Sequence, residues 1–498
     1  MDPIILVFVH GYSVTNLNTY GELPQRLLNE GVQRSITIQV QEIFLSRYIS
    51  FDDQVRLNDV AKAMQHAIQQ QIPADKRFVC ITHSTGGPLV RNWHHLFYEN
   101  SNQACPMSHL IMLAPANHGS ALAQLGKGRL SRLKSWFDGV EPGQQILNWL
   151  ELGSEEAWRL NVNYIINGMK QISAEGFFPF VISGQSIDRK LYDHLNTYTG
   201  EAGSDGVVRL ASANLNNRYL LLQQKQPVKQ NGNWSADELT LIESHDSGET
   251  AFRVIKGKSH SGDAMGIMKS VRKEIADEKS KELIDVIFDC IKVKDHIGYT
   301  NIIQKFKSET EEVQKQEKFE IENTLFRKNT YFNDRYTMVI FKLTDQEGGA
   351  ITDFDLLLTA GESDDPDLLP TGFFADRQIN RLNASTLTYF FNYDIMKGCE
   401  AIYSSKGDLL RTSQPGIQHL GITIKPRPEN GFVRYLPCKI KASADLLERA
   451  LQPNSCTHIE IVLQRILSKE LFQFEKTKED NGPELSFKNT DPGNDLIV

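Results

Sequence analysis

The chain has 498 residues, of which 40% are hydrophobic and 23% charged, with a formal net charge of -8. That length exceeds one small core and points to two or three domains of ordinary composition. The acidic balance removes the electrostatic case for a nucleic-acid partner, which wants a basic face, and for adhesion to anionic lipid by charge alone.

The six cysteines (Cys80, Cys105, Cys290, Cys399, Cys438 and Cys456) are scattered and include no C-x-x-C pair. This speaks against a zinc knuckle or a disulfide framework and suits a reducing compartment. No stretch approaches the roughly 18–20 apolar residues that cross a bilayer. Ile4 to Val9 is too short for a signal h-region and has no basic leader. The expectation is a cytoplasmic protein, or one exported without a cleavable signal peptide, with no transmembrane segment.

In chain order, Pro3 to Val9 is a continuous apolar run, as in a strand buried on both faces of a parallel sheet. It ends in His10-Gly11-Tyr12-Ser13. A helix is expected around Leu23, Leu27 and Leu28, a strand from Ser35 to Ile43, and a helix from Asp52 to Gln71. The strand Phe78 to Ile81 then runs into Thr82-His83-Ser84-Thr85-Gly86-Gly87, after which a helix starts. His109 to Ala114 and Phe177 to Ser183 continue the alternation, which predicts an α/β fold with a helix-covered parallel sheet.

Between those last strands, residues 119–175 are strongly apolar and include Trp136, Phe137, Trp149 and Trp158. They read either as a cap over a lipid-binding cleft or as an extra packed helical layer. Asp205-Gly206 sits in a turn before Val207-Val208. Strands are expected at Arg218 to Gln223, Glu238 to Glu243 and Thr250 to Ile255, the last leading to Ser259-His260-Ser261-Gly262, with helix from Met265. Residues 291–325 read as a charged, solvated linker helix. Residues 326–475 show only strand patterns between Gly, Pro and Asp turns and predict a β-sandwich-like domain. Residues 476–498 read as a polar, flexible tail.

An acyl-transfer serine needs an imidazole to take its proton and a carboxylate to orient that imidazole. Ser84, Asp205 and His260 occur in the chain order of hydrolases whose nucleophile sits on a strand-to-helix elbow. An oxyanion hole is expected from the N–H of Thr85 and the N–H of Tyr12, with Gly11 letting that loop approach. His10, His83, Trp136, Phe137 and Trp149 are candidate walls of the substrate cleft. His94-His95, Asp188, Asp193-His194 and His245-Asp246 have no diagnostic metal spacing, so no metal is expected.

These motifs, together with Val9-His10-Gly11 and Ala114-Pro115-Ala116-Asn117-His118-Gly119-Ser120, resemble a bacterial lipase or esterase of the α/β-hydrolase superfamily. The resemblance covers residues 1–290. It implies hydrolysis of lipid or phospholipid carboxylic esters through an acyl-serine, with a helical lid and no organic cofactor. Thr82 departs from the glycine-first elbow. Acyl transfer to another alcohol on the same triad is an alternative reading, and a non-catalytic binding protein on the same scaffold is a second. The C-terminal domain is expected to contact a membrane or a protein partner. Its removal after about residue 325 is therefore expected to spare the hydrolysis of soluble esters.

Overall fold

The computed structural model describes the chain except residues 1–2, 11–19, 51, 102, 126–142, 188–201, 231–232, 324–327, 469–470, 472–494 and 498. The strands that precede residue 260 are β1 (Ile4–His10), β2 (Ile38–Phe44), β3 (Phe78–His83), β4 (Met107–Leu113) and β5 (Phe178–Gly184), followed by β6 (Arg218–Gln224), β7 (Val228–Gln230), β8 (Asn233–Ser235), β9 (Leu239–Asp246) and β10 (Ala251–Ile255). Six of them form one sheet in the order β2-β1-β3-β4-β5-β10, and every neighbouring pair is parallel. The helices between them are α1 (Leu23–Gln33), α2 (Leu57–Gln71), α3 (Gly86–Phe97), α4 (Gln144–Leu150), α5 (Glu155–Asn167) and α6 (Leu210–Ala213).

The unbroken apolar run of β1 follows from burial on both faces. Successive side chains of a strand point to opposite sides. Ile5, Val7 and Val9 therefore join a core with Val60 and Met64 of α2 and Trp93 of α3, whereas Leu6 and Phe8 join a second core with Leu23 and Leu27 of α1. The chain steps outward from β1 to β2, then crosses back to place β3 on the other side of β1. Strand order reverses there, so a crevice opens at the carboxyl ends of β1 and β3. His10 and Ser84 lie at those two ends.

Two expectations are corrected here. Met265 does not open a helix; the chain turns until α7 (Glu278–Ile291) begins. The linker is not a solvated connector, because α8 (His296–Gln316) packs on β10. Tyr299, Phe306 and Val313 are buried at seven-residue intervals, one narrow stripe in an otherwise charged helix. Thr310 Oγ1 accepts from Val254 N at 3.0 Å, and Tyr299 Oη donates to Pro179 O at 2.5 Å.

The remaining strands are β11 (Phe319–Asn323), β12 (Lys328–Phe332), β13 (Tyr336–Asp345), β14 (Phe354–Ala360), β15 (Phe374–Ile379), β16 (Thr386–Asn392), β17 (Ile402–Tyr403) and β18 (Leu409–Arg411), then β19 (His419–Pro426), β20 (Val433–Arg434), β21 (Cys438–Ser443), β22 (Cys456–Leu463), β23 (Ile466–Ser468) and β24 (Asp495–Ile497). Two short helices, α9 (Tyr393–Lys397) and α10 (Ala444–Ala450), lie between them. A six-stranded mixed sheet, β15-β16-β13-β22-β6-β9, faces a three-stranded antiparallel sheet, β14-β19-β21, across a core that includes Phe341, Leu387, Leu420 and Ile461. The strands β6 and β9, which lie in sequence between Asp205 and His260, thus belong to the second sheet and not to the hydrolase sheet. β6 pairs in parallel with β22 from Arg218 opposite Thr457 to Gln223 opposite Val462. Among the described residues, no helix is long and apolar enough to cross a membrane.

Candidate active site

Ser84 follows β3 with φ +53°, in the left-handed region that non-glycine residues rarely occupy. Such strain persists where the surroundings over-determine it. Here Ser84 N donates to Leu113 O at 3.1 Å, and Ser84 O accepts from Gly87 N and Ala116 N, each at 3.2 Å. A Cβ on Gly86 would stand 3.1 Å from Thr82 Cβ and 3.6 Å from Val9 O. The elbow therefore tolerates Thr82 because Gly86 leaves room for it.

The serine hydroxyl meets an imidazole. Ser84 Oγ lies 3.1 Å from His260 Nε2, and His260 Nδ1 lies 2.9 Å from Asp205 Oδ2. A carboxylate at Nδ1 fixes the tautomer with Nδ1–H donating, which leaves the Nε2 lone pair facing the serine. Asp205 and His260 are fully buried, and Ser84 is 7% exposed. The carboxylate does not swing freely, because Asp205 Oδ1 accepts from Val207 N at 3.0 Å and from Val208 N at 2.8 Å. That turn relies on Gly206 at φ +97°. His260 N also donates to Asp205 O at 2.9 Å, so the two loops are joined by backbone as well as by side chain.

His83 belongs to this centre. Its ring lies 4.7 Å from that of His260, and Nε2 donates to His260 O at 3.1 Å. Burial, helped by the neighbouring His260 and Lys269, holds its pKa well below the usual histidine value. A neutral His83 puts no second cation beside the imidazole that must gain a proton.

Ala114 to Ser120 link the nucleophile to the acid. Ala116 N reaches Ser84 O as above, Ser120 Oγ donates to Val207 O at 2.6 Å, and Ser212 Oγ donates to Gly119 O at 2.6 Å. Beneath them Arg91 Nη1 donates to Asn161 Oδ1 at 2.9 Å and Asn117 Oδ1 at 3.3 Å. Sequence reasoning missed this Arg91 network. It also missed Tyr20, whose Oη donates to Val9 O at 2.7 Å and Ile81 O at 3.3 Å, tying the ends of β1 and β3 together. Single polar residues inside apolar helical patterns give no sequence signal for such ties.

Thr85 is the residue before α3, 6% exposed. His10 closes β1 opposite Phe44. Tyr12, Trp136 and Phe137 lie outside the described residues. Trp149 is 5% exposed and sits in the core cluster with Leu57 and Val60, as a packed residue of an extra helical layer. That layer is fastened to the second sheet. Lys342 Nζ pairs with Glu155 at 2.9 Å, Arg381 with Glu151 at 2.8 Å, and Thr386 Oγ1 donates to Gly153 O at 2.8 Å. The acid loop is fastened there too. Arg209, four residues after Asp205, pairs with Asp376 of β15 and lies 4.2 Å over the Phe390 ring of β16.

Among the described residues, one group of histidine, cysteine and acidic side chains is close enough to share an ion: His118, Cys456 and His458, with ligand atoms within 4.8 Å. The donor set does not suit a cation. His118 Nδ1 donates to Ser212 O at 2.9 Å, and its Nε2 already accepts from Asn217 Nδ2 at 3.1 Å. The Arg91 guanidinium adds positive potential at both histidines.

No protein-family model and no curated protein sequence matches the chain. Among solved structures, it is similar to phospholipase PlaB from Legionella pneumophila, with a TM-score of 0.83 and 40% identity over 97% of this chain and 98% of that one. The same protein in complex with thio-NAD gives a TM-score of 0.84 and 39% identity, covering 99% and 100% of the two chains. A propeptide form of lipase BlEst2 from Bacillus licheniformis also matches, at 11% identity over 94% of this chain and 96% of that one, with a TM-score of 0.32.

Proposed function

The chain belongs to the family of phospholipase PlaB, and on that premise we propose that it hydrolyses carboxylic esters of phospholipids through an acyl-serine intermediate. Ser84 Oγ attacks the ester carbonyl while His260 Nε2 takes its proton. Asp205 stabilises the imidazolium that results. The oxyanion is held by the N–H of Thr85 and by the N–H of Tyr12, the second donor expected from the sequence. His260 then returns the proton to the departing lysolipid alcohol. Water, activated by the same imidazole, releases the fatty acid from Ser84.

The observation that carries this reading is the buried relay Ser84–His260–Asp205, at 3.1 and 2.9 Å, with its acid fixed by backbone N–H groups. A turn or a structural histidine alone would need no such chain of contacts. Extracted phospholipids incubated with the protein should yield free fatty acid and lysophospholipid by mass spectrometry. A fluorophosphonate probe should label Ser84. The Ser84→Ala protein should fold, escape labelling and lose about 10⁴–10⁶ in kcat on a p-nitrophenyl acyl ester. Retained turnover in that variant would refute the assignment, and cleavage confined to short soluble esters would refute the lipid substrate.

A further inference from the structure

The second half of the molecule holds an apolar groove that the reaction at Ser84 does not use. The three strands β14, β19 and β21 cannot cover the six-stranded sheet opposite them, and near β6 and β9 the two layers part. The space left is about 530 Å³, within the range of roughly 300–1,000 Å³ usual for small-molecule sites. Its walls are the inward-facing Leu220 and Leu222 of β6, Phe341 of β13, Ile422 of β19, Ile440 of β21 and Leu447 of α10. At its edge, Leu241 is 52% exposed and Leu446 46% exposed, so apolar surface continues out to solvent.

The polar groups of this groove lie at its rim, and their charges are unequal. Arg218, Lys441 and Arg449 face one carboxylate, Asp246, which pairs with Arg218. Lys441 pairs with Asp364 outside the groove. Arg449, on α10, has no ion pair among the described residues. Arg218, Asp246 and Ala450 also line an adjoining cavity of about 410 Å³, whose other charged walls, Lys307 and Arg335 against Glu249 and Glu311, balance. The aliphatic hollow itself thus carries a net cationic rim. That arrangement fits a molecule with a long apolar chain and a single anionic end.

We propose that this groove binds a long-chain fatty acid, with the acyl chain between the two sheets and the carboxylate at Arg449 and Arg218. The proposal rests on the reading of the protein as a phospholipid esterase for the source of the ligand, since each turnover releases such an acid. A bilayer surface is the competing occupant, but a flat membrane would be met by a protruding apolar face and not by a hollow between sheets.

Binding is measured on the full-length Ser84→Ala protein with cis-parinaric acid, whose fluorescence rises in apolar surroundings. Saturable binding is expected, competed by palmitate and less well by uncharged hexadecanol. Ala442→Trp, which fills the groove from β21, and Arg449→Glu, which reverses the charge at its mouth, should each weaken binding at least tenfold. Both should leave short-ester hydrolysis unchanged in the otherwise wild-type chain. Pre-treatment of the wild-type protein with a long-chain phosphonate should leave the groove signal intact. A signal lost on phosphonylation but unmoved by the two variants would place the acid in the catalytic cleft and overturn the proposal. So would Ala442→Trp-sensitive binding of phosphatidylcholine vesicles without binding of the free acid. Failure of the wild-type protein to release fatty acid from phospholipid would refute the hydrolase reading separately and leave the binding result standing.

Discussion

Replacing Asp376 by alanine removes a carboxylate from the second sheet and leaves the Arg209 guanidinium behind it, 3% exposed, above the Phe390 ring. Removing one partner of a buried pair costs about 3–5 kcal/mol, because the other charge stays desolvated without the carboxylate that offset its burial. Asp376 is itself 19% exposed and the ring contact survives, so about 2–3 kcal/mol is the expected loss here. Arg209 lies at the foot of the turn that holds Asp205, and Ser212 N and Ala213 N both donate to Arg209 O, at 2.9 and 3.0 Å. Loosening at Arg209 is therefore felt at the carboxylate that fixes His260. If that free energy is transmitted, kcat on a soluble ester should fall by up to about 100-fold, since each 1.4 kcal/mol is tenfold, with KM little changed. The ceiling is the loss of about 10⁴ seen when a triad acid fails altogether. The double variant Arg209→Met, Asp376→Ala removes both charges of the pair and should recover most of the stability. Thermal unfolding and steady-state kinetics on the four members of this cycle provide the test. A destabilised Asp376→Ala protein with wild-type kcat would refute the claim that the second sheet braces the acid loop.

Three further outcomes are expected of this molecule. Gly86→Ala places a methyl 3.1 Å from Thr82 Cβ and should cost about 1–3 kcal/mol with loss of activity, and Thr82→Gly in the same chain should restore both; no restoration would mean that the clash lies elsewhere. Burial lowers the pKa of His94 and of His109 to about 4 and that of His458 to about 3, so the unfolded chain takes up protons first as pH falls. Stability should be intact above pH 6.5 and decline from there towards pH 4, with His109→Gln shallower by up to about 1.4 kcal/mol per pH unit; an unchanged slope in that variant would refute the assignment. Truncation after residue 325 should abolish hydrolysis of soluble and lipid esters alike, because β6 then loses β22; a truncated protein active on p-nitrophenyl butyrate would show that the hydrolase stands alone.

The last of these reverses what the amino-acid pattern alone suggested, and the reason is physical. A buried parallel strand announces itself by an unbroken apolar run, and β1, β3 and β4 were legible to within a few residues. The order Ser84, Asp205, His260 was legible because small residues must flank a tight turn that carries a reactive side chain. Alternation within Arg218 to Gln224 identifies a strand but says nothing of its partner, since every mixed sheet accepts the same pattern. The partner, Cys456 to Leu463, is more than 230 residues away in sequence. The stripe of Tyr299, Phe306 and Val313 was likewise hidden by the charged residues around it, which leave the helix polar on average.

The path of the chain between acid and base explains why the two halves of the molecule act together. After the Asp205 turn and α6, the chain leaves the hydrolase at Asn214, whose side chain donates to Asn454 O at 2.8 Å, and Asn217 Oδ1 accepts from Cys456 N at 3.0 Å. It then forms β6 and β9 within the second sheet and returns as β10, which delivers His260. The segment joining catalytic acid to catalytic histidine is thus an internal part of the β-rich half. Its register is set by seven antiparallel pairs between β6 and β9 and six parallel pairs to β22. A shift of that hairpin by one residue would turn its apolar side chains to the wrong face, so the spacing of the two loops is held by a whole sheet. The contact of 2.9 Å between His260 and Asp205 is accordingly a property of both halves of the protein. Substitutions in β22 that weaken its pairing with β6 should lower kcat although no residue of β22 belongs to the Ser84–His260–Asp205 relay.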